Sequence, residues 1–306
     1  MACTLGGQAV LEGVMMRGPG NWAVAVRRPD GQIARVCRPI ASPMARRRVY
    51  RLPIVRGVVA LGESLAIGFR ALAISANYAA QEQGEGDEDV QTELSKWQLG
   101  IAFTIAIGFA LLLFKVGPAL LVDKLVPVHS GGWFVIIEGV VRVTVFVLYL
   151  ALISLLPDLK RVFQYHAAEH KAINAYEAGE PLEPEIVQRY SLIHPRCGTA
   201  FLLWVMVVAI FVYAFLGRPA WYWLVVSRIV LLPLIAGIAY ELIRLAGRHS
   251  GNRVLMTLLA PGLWLQRLTT REPSLDQLEV SIRALREVLA LEDTTTRAPE
   301  RAEVMA

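Results

Sequence analysis

The sequence predicts a mainly α-helical, polytopic membrane protein of about four spans, with a small N-terminal β-hairpin and a cytoplasmic helical loop. Three observations predict it. Of the 306 residues 55% are hydrophobic, above the roughly 45–50% of a soluble domain. Four stretches approach the ~20 apolar residues that a bilayer requires. Basic residues crowd some of the segments between those stretches and nearly vanish from the others, the asymmetry that sets membrane orientation.

Residues 1–53 read as a cytoplasmic segment. The first twenty are rich in Gly and Met and fit no period; they also lack the basic start and continuous apolar run of a secretory signal. Residues 22–28 and 32–38 flank Pro29-Asp30-Gly31, and Asp-Gly between short alternating runs signals a hairpin. The cluster Arg46, Arg47, Arg48 and Arg51 lies next to apolar sequence and lacks interleaved aromatics. It therefore points to anionic lipid headgroups as partner rather than to nucleic acid. Residues 54–80 are helical and long enough to span, but carry Glu63 and Arg70. A charge at mid-bilayer costs about 2.5–3.5 kcal/mol on insertion scales, which favours a helix lying at the interface. It leads into an acidic linker, so that 54–96 form one unit.

The spans are 97–121, 133–156, 201–216 and 221–243, each with Trp, or in the third an apolar aromatic start, near its beginning. The first two make up segment 97–156, the last two segment 201–243. Eleven arginines precede the first span, and the loop 157–200 carries Lys160, Arg161, Lys171, Arg189 and Arg196. The loops 122–132 and 217–220 hold one basic residue each. With four spans every basic segment falls on one side, so both termini and the loop 157–200 are expected in the cytoplasm, at the inner membrane. The tail 244–291 contains an apolar stretch, 251–268, broken by Pro261-Gly262, and then an amphipathic helix, 275–291. In that helix Ser274 and Gln277 form a capping box and Leu278, Ile282, Leu285 and Leu289 an apolar stripe. Residues 292–306 read as disordered.

The chemistry concentrates in the loop 157–200. Tyr165-His166-Ala167-Ala168-Glu169-His170 is a His-x-x-Glu-His run. Residues four apart share a helix face, so His166 and His170 present two imidazoles to one point, with Glu169 beside them. Two imidazoles suit a divalent ion, zinc above all, and a nearby carboxylate suits a general base. Downstream, His194-Pro195-Arg196-Cys197-Gly198 offers His194 and Cys197 three residues apart on a braced turn. All four binding would make a closed, structural site; one staying out would leave room for water. Three widely spaced cysteines form no disulfide framework. Glu241, at the cytoplasmic end of the fourth span, is a further candidate ligand; its alternative is an ion pair with Arg142, Arg228 or Arg244. Glu138, Arg142 and Arg228 put charge inside the spans, and such residues are functional suspects.

Several motifs resemble the YqhQ-like family of bacterial membrane proteins, carried as a domain of unknown function. They are Gly6-Gly7-Gln8-Ala9-Val10 with Glu12-Gly13-Val14-Met15-Met16-Arg17, the run Tyr165–Lys171, Ala175-Tyr176-Glu177, His194–Thr199, Leu232–Gly237, and Pro261–Gln266 with Leu268–Pro273. Ala167 stands where relatives have glycine. The resemblance covers nearly the whole chain and implies a metal-dependent enzyme on the membrane, an implication that rests on the same His-x-x-Glu-His run. Glu12 and Arg17 either line the site or pack the N-terminal segment. The sequence thus favours a membrane-bound metal-dependent hydrolase in which His166 and His170 hold a divalent ion, with a third ligand from His194, Cys197 or Glu241, and Glu169 is the base. Two alternatives stand beside it: a transporter using Glu138, Arg142, Arg228 and Glu241 around a wet cavity, and a scaffold whose metal is structural.

Overall fold

The expected hairpin is half of a larger sheet. A computed structural model describes residues 5–80, 96–125, 131–216, 220–248 and 253–303. Four strands, β1 (Gly6–Val10), β2 (Gly13–Arg17), β3 (Asn21–Arg27) and β4 (Ile33–Pro39), form an antiparallel meander in sequence order. The β3–β4 turn follows the Asp-Gly signal: Gly31 has φ 85°, and Asp30 Oδ1 accepts from the Gln32 N–H at 2.9 Å. The β1–β2 hairpin was not legible. Its two-residue turn, Leu11-Glu12, puts Glu12 at φ 51°, a left-handed conformation that non-glycine residues seldom take.

The middle of the sheet is buried on both sides, β2 and β3 most fully. Side chains alternate between the faces of a strand, and here both faces are covered. Val14, Met16, Ala23 and Ala25 point to one side and enter a core with helices α5 (Pro157–Glu177) and α10 (Leu275–Glu303). Val10, Met15, Trp22, Val24 and Val26 point to the other and pack on Ile67 and Ala71 of α1 (Val55–Ala80). A strand buried on both sides shows an apolar run, not an alternation.

A second assembly is purely helical. It contains α2 (Lys96–Leu111), a π-helical segment Leu112–Val116, α3 (Gly117–Leu125), α4 (Gly131–Ile153), α6 (Gly198–Ala214), α7 (Trp221–Val230), α8 (Leu232–Arg248) and α9 (Arg253–Thr269). Its interior joins Phe134, Val135, Val205, Ala209, Leu224 and Ile235. Its outside is apolar as well, with Ile105, Phe109, Val140, Leu152 and Phe211 all exposed. Among the described residues, three helices are long and apolar enough to cross a membrane: Val55–Ala79, Thr104–Leu125 and Gly132–Ile153. The pair Trp221–Val230 and Leu232–Leu245, bent by 45°, makes a fourth if it counts as one span, and Gly198–Ala214 is apolar but shorter. The bend falls at Leu231, two residues before Pro233, which cannot continue the preceding helical hydrogen bonding.

Two expectations change. Pro261-Gly262 does not break the tail helix, because α9 runs through with Pro261 inside it. Gly262 lies against Ala200 of α6, so neighbouring packing supports the helix there. The tail 292–306, expected to be disordered, is helical as far as Glu303; at its start Glu292 accepts from the backbone N–H groups of Gly20 and Asn21 at 2.9 and 2.8 Å. Of the acidic linker, residues 81–95 lie outside the described residues.

The final helix closes the mixed core. Its capping box forms, with the Ser274 N–H donating to Gln277 Oε1 at 2.9 Å and the Gln277 N–H to Ser274 Oγ at 3.4 Å. Leu278, Ile282 and Leu285 are buried, and Ser281 Oγ–H donates to the Ala168 carbonyl at 2.9 Å. Replacing Leu285, which is fully buried, by Ala should therefore cost about 2–5 kcal/mol. The exposed Leu275→Ala should change stability by no more than about 0.5 kcal/mol. Denaturant titration of both variants in detergent checks this.

Candidate metal centre

Helix α5 is assembled from alanines on the side that meets the sheet and α10. Ala168, Ala172 and Ala175 have no exposed surface, and small side chains let the helix come close. The adjoining side carries His166 and His170. Facing them, the turn at His194–Cys197 closes with the Cys197 N–H on the His194 carbonyl at 3.3 Å, and Cys197 is the residue that opens α6. Donor atoms of His166, His170 and Cys197 lie within 4.8 Å of one another. His166 Nε2 is 3.3 Å from Cys197 Sγ, and the two imidazoles lie 4.5 Å apart, centroid to centroid.

The hydrogen bonds around the rings are informative. His166 Nδ1 is 2.8 Å from the Thr269 carbonyl and His170 Nδ1 is 2.6 Å from the Leu192 carbonyl. A carbonyl only accepts, so each Nδ1 carries a proton, and in the neutral ring each Nε2 keeps its lone pair. This is the arrangement that orients histidine ligands in metalloproteins. His170 Nε2 is buried and has no hydrogen-bond partner among the described residues, a costly state for a polar atom unless something binds it. Donors of a tetrahedral zinc site stand about 3.3–3.6 Å apart, as bond lengths of about 2.0–2.3 Å require. The three residues therefore fit a divalent ion after a small inward movement.

His194 stands just outside this group. Its ring centroid is 5.8 Å from that of His170, and its Nε2, also without a hydrogen bond among the described residues, is 3.7 Å from Glu177 Oε2. Burial, with Arg196 and His170 nearby, drives the His194 pKa down to about 3. Gln266 of α9 holds the backbone of His194 on both sides, accepting from its N–H and donating to its carbonyl, each at 2.9 Å. Glu177 forms an ion pair with Arg196.

Glu169 is buried too, but turned toward β1. Gly7 lies directly over it, so close that a Cβ on Gly7 would sit 2.7 Å from Glu169 Cγ. Burial raises the Glu169 pKa to about 7, against the opposing pull of His166 and of the Gly7 N–H hydrogen bond.

Glu241 is not part of the group. Its carboxylate binds Arg56 and accepts from the Ile54 N–H at 3.4 Å, which puts a negative charge at the start of α1, where the helix dipole favours it. The motif residues of the N-terminal segment are likewise fasteners. Arg17 pairs with Glu63 of α1, and Glu12 pairs with Arg161 of α5 and accepts from the Tyr165 hydroxyl at 3.4 Å. Burial first, and Glu12 second, push the Tyr165 pKa up to about 12, so the hydroxyl keeps its proton. In the bundle Glu138 pairs with both Arg142 and Arg228. Sequence reasoning gave no role to Gly7, Leu192, Gln266 and Thr269, which act through backbone atoms or from distant helices; Gly7 stood in the Gly6–Val10 motif and Gln266 and Thr269 in the motifs from Pro261 to Pro273, while Leu192 left no trace.

A family described as "Protein of unknown function (DUF1385)" matches residues 52–291 of the chain. The chain belongs to the DUF1385 family. It is also similar to "Uncharacterized protein YqhQ" of Bacillus subtilis (strain 168), with 35% identity over 295 residues that cover 94% of this chain and 92% of the relative. No solved structure matches it. The resemblance read from the motifs is thus borne out at the level of the family, and the DUF1385 match takes in α1 and every helix that carries a candidate ligand.

The contact between Gly7 and Glu169 makes a sharp comparison possible. Gly7→Ala forces its new methyl onto Glu169 and the Met15 carbonyl, whereas a methyl added at Gly6 would meet nothing within 4 Å among the described residues. Gly7→Ala should destabilise the protein by about 1–3 kcal/mol and Gly6→Ala should leave the melting temperature essentially unchanged, both read by thermal scans in detergent.

Proposed function

We propose that this DUF1385 protein is an integral protein of the bacterial inner membrane and that its His166–His170–Cys197 centre, on the cytoplasmic side, binds a divalent metal ion, zinc by its donor set, and serves hydrolysis. Four spans are supported by the apolar exterior of the bundle: the α2-to-α3 stretch, α4, α6 and the bent pair α7–α8. Helix α1, although long enough to cross, has the sheet on one side and Leu65 and Leu72 exposed on another, which supports a position along the bilayer surface. The exposed Arg47, Arg48 and Arg51 beside it suit anionic headgroups. The basic segments then all lie in the cytoplasm, with both termini.

The observation that carries the metal reading is the pair of Nε2 lone pairs, set by backbone carbonyls and converging with a thiol, one of them buried with no partner among the described residues. His166, His170 and Cys197 supply three ligands, the number found in catalytic zinc sites, which keep a position open. A bound divalent ion would supply Lewis acidity toward a substrate oxygen and acidify a water. Glu169, buried beside His170 on the same helix and held under Gly7, is the carboxylate we assign to accept a proton from such a water after turning from β1 toward the ion, and to return it to the leaving group. His166 is the least buried of the three ligands and marks the side from which a substrate would approach. A structural metal is the second reading, supported by His194, whose buried Nε2 needs only a modest turn to complete a closed set.

Plasma mass spectrometry of the detergent-purified protein should find about one equivalent of metal. His166→Ala, His170→Ala and Cys197→Ala should each lose at least tenfold in metal affinity, and Glu169→Gln should keep the ion. Retention of metal by His194→Ala supports the open site, and its loss the structural one. A wild-type protein that stays metal-free after incubation with zinc, manganese or iron would end the metal reading altogether.

A further inference from the structure

The bundle contains a second polar centre, unrelated to the histidine cluster. Lys115, Arg142 and Arg228 are all buried, at 7%, 1% and 0% exposure, and so is Glu138. Glu138 joins Arg142 and Arg228, its Oε1 accepting from Arg228 Nε at 3.1 Å. The ring of Tyr213 lies between the two guanidiniums, 3.9 Å from Arg228 Cζ and 5.3 Å from Arg142 Cζ. Lys115 lies within electrostatic reach of both arginines. Among the described residues, three cationic side chains thus face one carboxylate.

The donors are as unbalanced as the charge. Lys115 Nζ, Arg142 Nε and Arg142 Nη1 are buried with no hydrogen-bond partner among the described residues. A buried cation is tolerated only when paired and hydrogen-bonded; here one carboxylate serves three. Lys115 reaches this interior from the π-helical segment Leu112–Val116. Such a widening of the helix costs regular hydrogen bonding and recurs at functional sites. Each of these features is unfavourable alone, and all are relieved by one anion with several acceptor oxygens. Arg and Lys together are the usual donors for such a group, and the surplus of basic over acidic side chains suits a phosphate.

We propose that Lys115, Arg142 and Arg228 form an internal binding site for a phosphate-type oxyanion. The phosphate is either free or part of a lipid headgroup. An apolar cleft of about 320 Å³ along the same segment, lined by Leu112, Leu113, Gly117 and Val145, gives a lipid chain a place to lie.

The test uses the full chain in detergent, with two probes. Inorganic phosphate is titrated at constant ionic strength against chloride, and phosphatidylglycerol is compared with phosphatidylcholine by native mass spectrometry and thermal scans. One probe should bind with a stoichiometry near one and raise the melting temperature. Binding of phosphatidylglycerol without free phosphate assigns the headgroup; the reverse assigns the free anion. Lys115→Met should weaken binding at least tenfold, Lys115→Arg should retain it, and both should keep the metal content of the histidine centre. If neither probe binds the wild type, or if Lys115→Met binds as the wild type does, the site does not exist.

Discussion

Helix α5 is buried on two sides at once, and the rest of the sheet-bearing core depends on that constraint. Its alanines at 168, 172 and 175 sit flush against the sheet and α10, while His166 and His170 look toward α6 and α9. A helix wedged in this way cannot rotate to relieve a poor contact without disturbing the opposite side, since packed interiors have little slack. The geometry of the histidine pair is therefore set by apolar packing some distance from any donor atom. Ser281, by donating to the Ala168 carbonyl, ties α10 to the same helix through its backbone.

The two polar centres are built on opposite principles. At the histidine cluster the supporting groups are backbone carbonyls and an amide, which are neutral, rigid and insensitive to pH. They direct lone pairs without adding charge, so the cluster can meet a cation. In the bundle the supporting groups are charges in excess, and the unpaired atoms are donors. At one centre the unpartnered atoms are ring nitrogens and at the other they are the donors of basic side chains, and both sets are buried.

Much of the helical plan was legible in the sequence. Hydropathy marked the long apolar stretches, the capping box at Ser274 announced α10, and the four-residue spacing of His166 and His170 put both rings on one side of α5, near Cys197. The β1–β2 hairpin was not legible, because β1 opens on two glycines, β2 is buried on both faces and so shows no alternation, and the turn runs through Glu12 rather than a glycine. The role of Glu241 was not legible either: its partner Arg56 lies 185 positions away, and helix periodicity carries no information about such pairings. Gln266 and Thr269 shape the cluster through contacts with residues 72 and 103 positions distant. Local pattern reveals which face a helix buries, but not against what.

The bend between α7 and α8 has a mechanical corollary. Arg228 lies just before it, and Glu241, which holds the first turn of α1, lies beyond it on α8. From Leu231 to Glu241 the rise is about 15 Å at 1.5 Å per residue. A change of about 10° at the bend would sweep the Arg56 anchor through roughly 2.6 Å over that length. Helix α8 is thus a lever arm with its fulcrum next to the buried charges and its far end fastened, through α1, to the sheet that lies over Glu169.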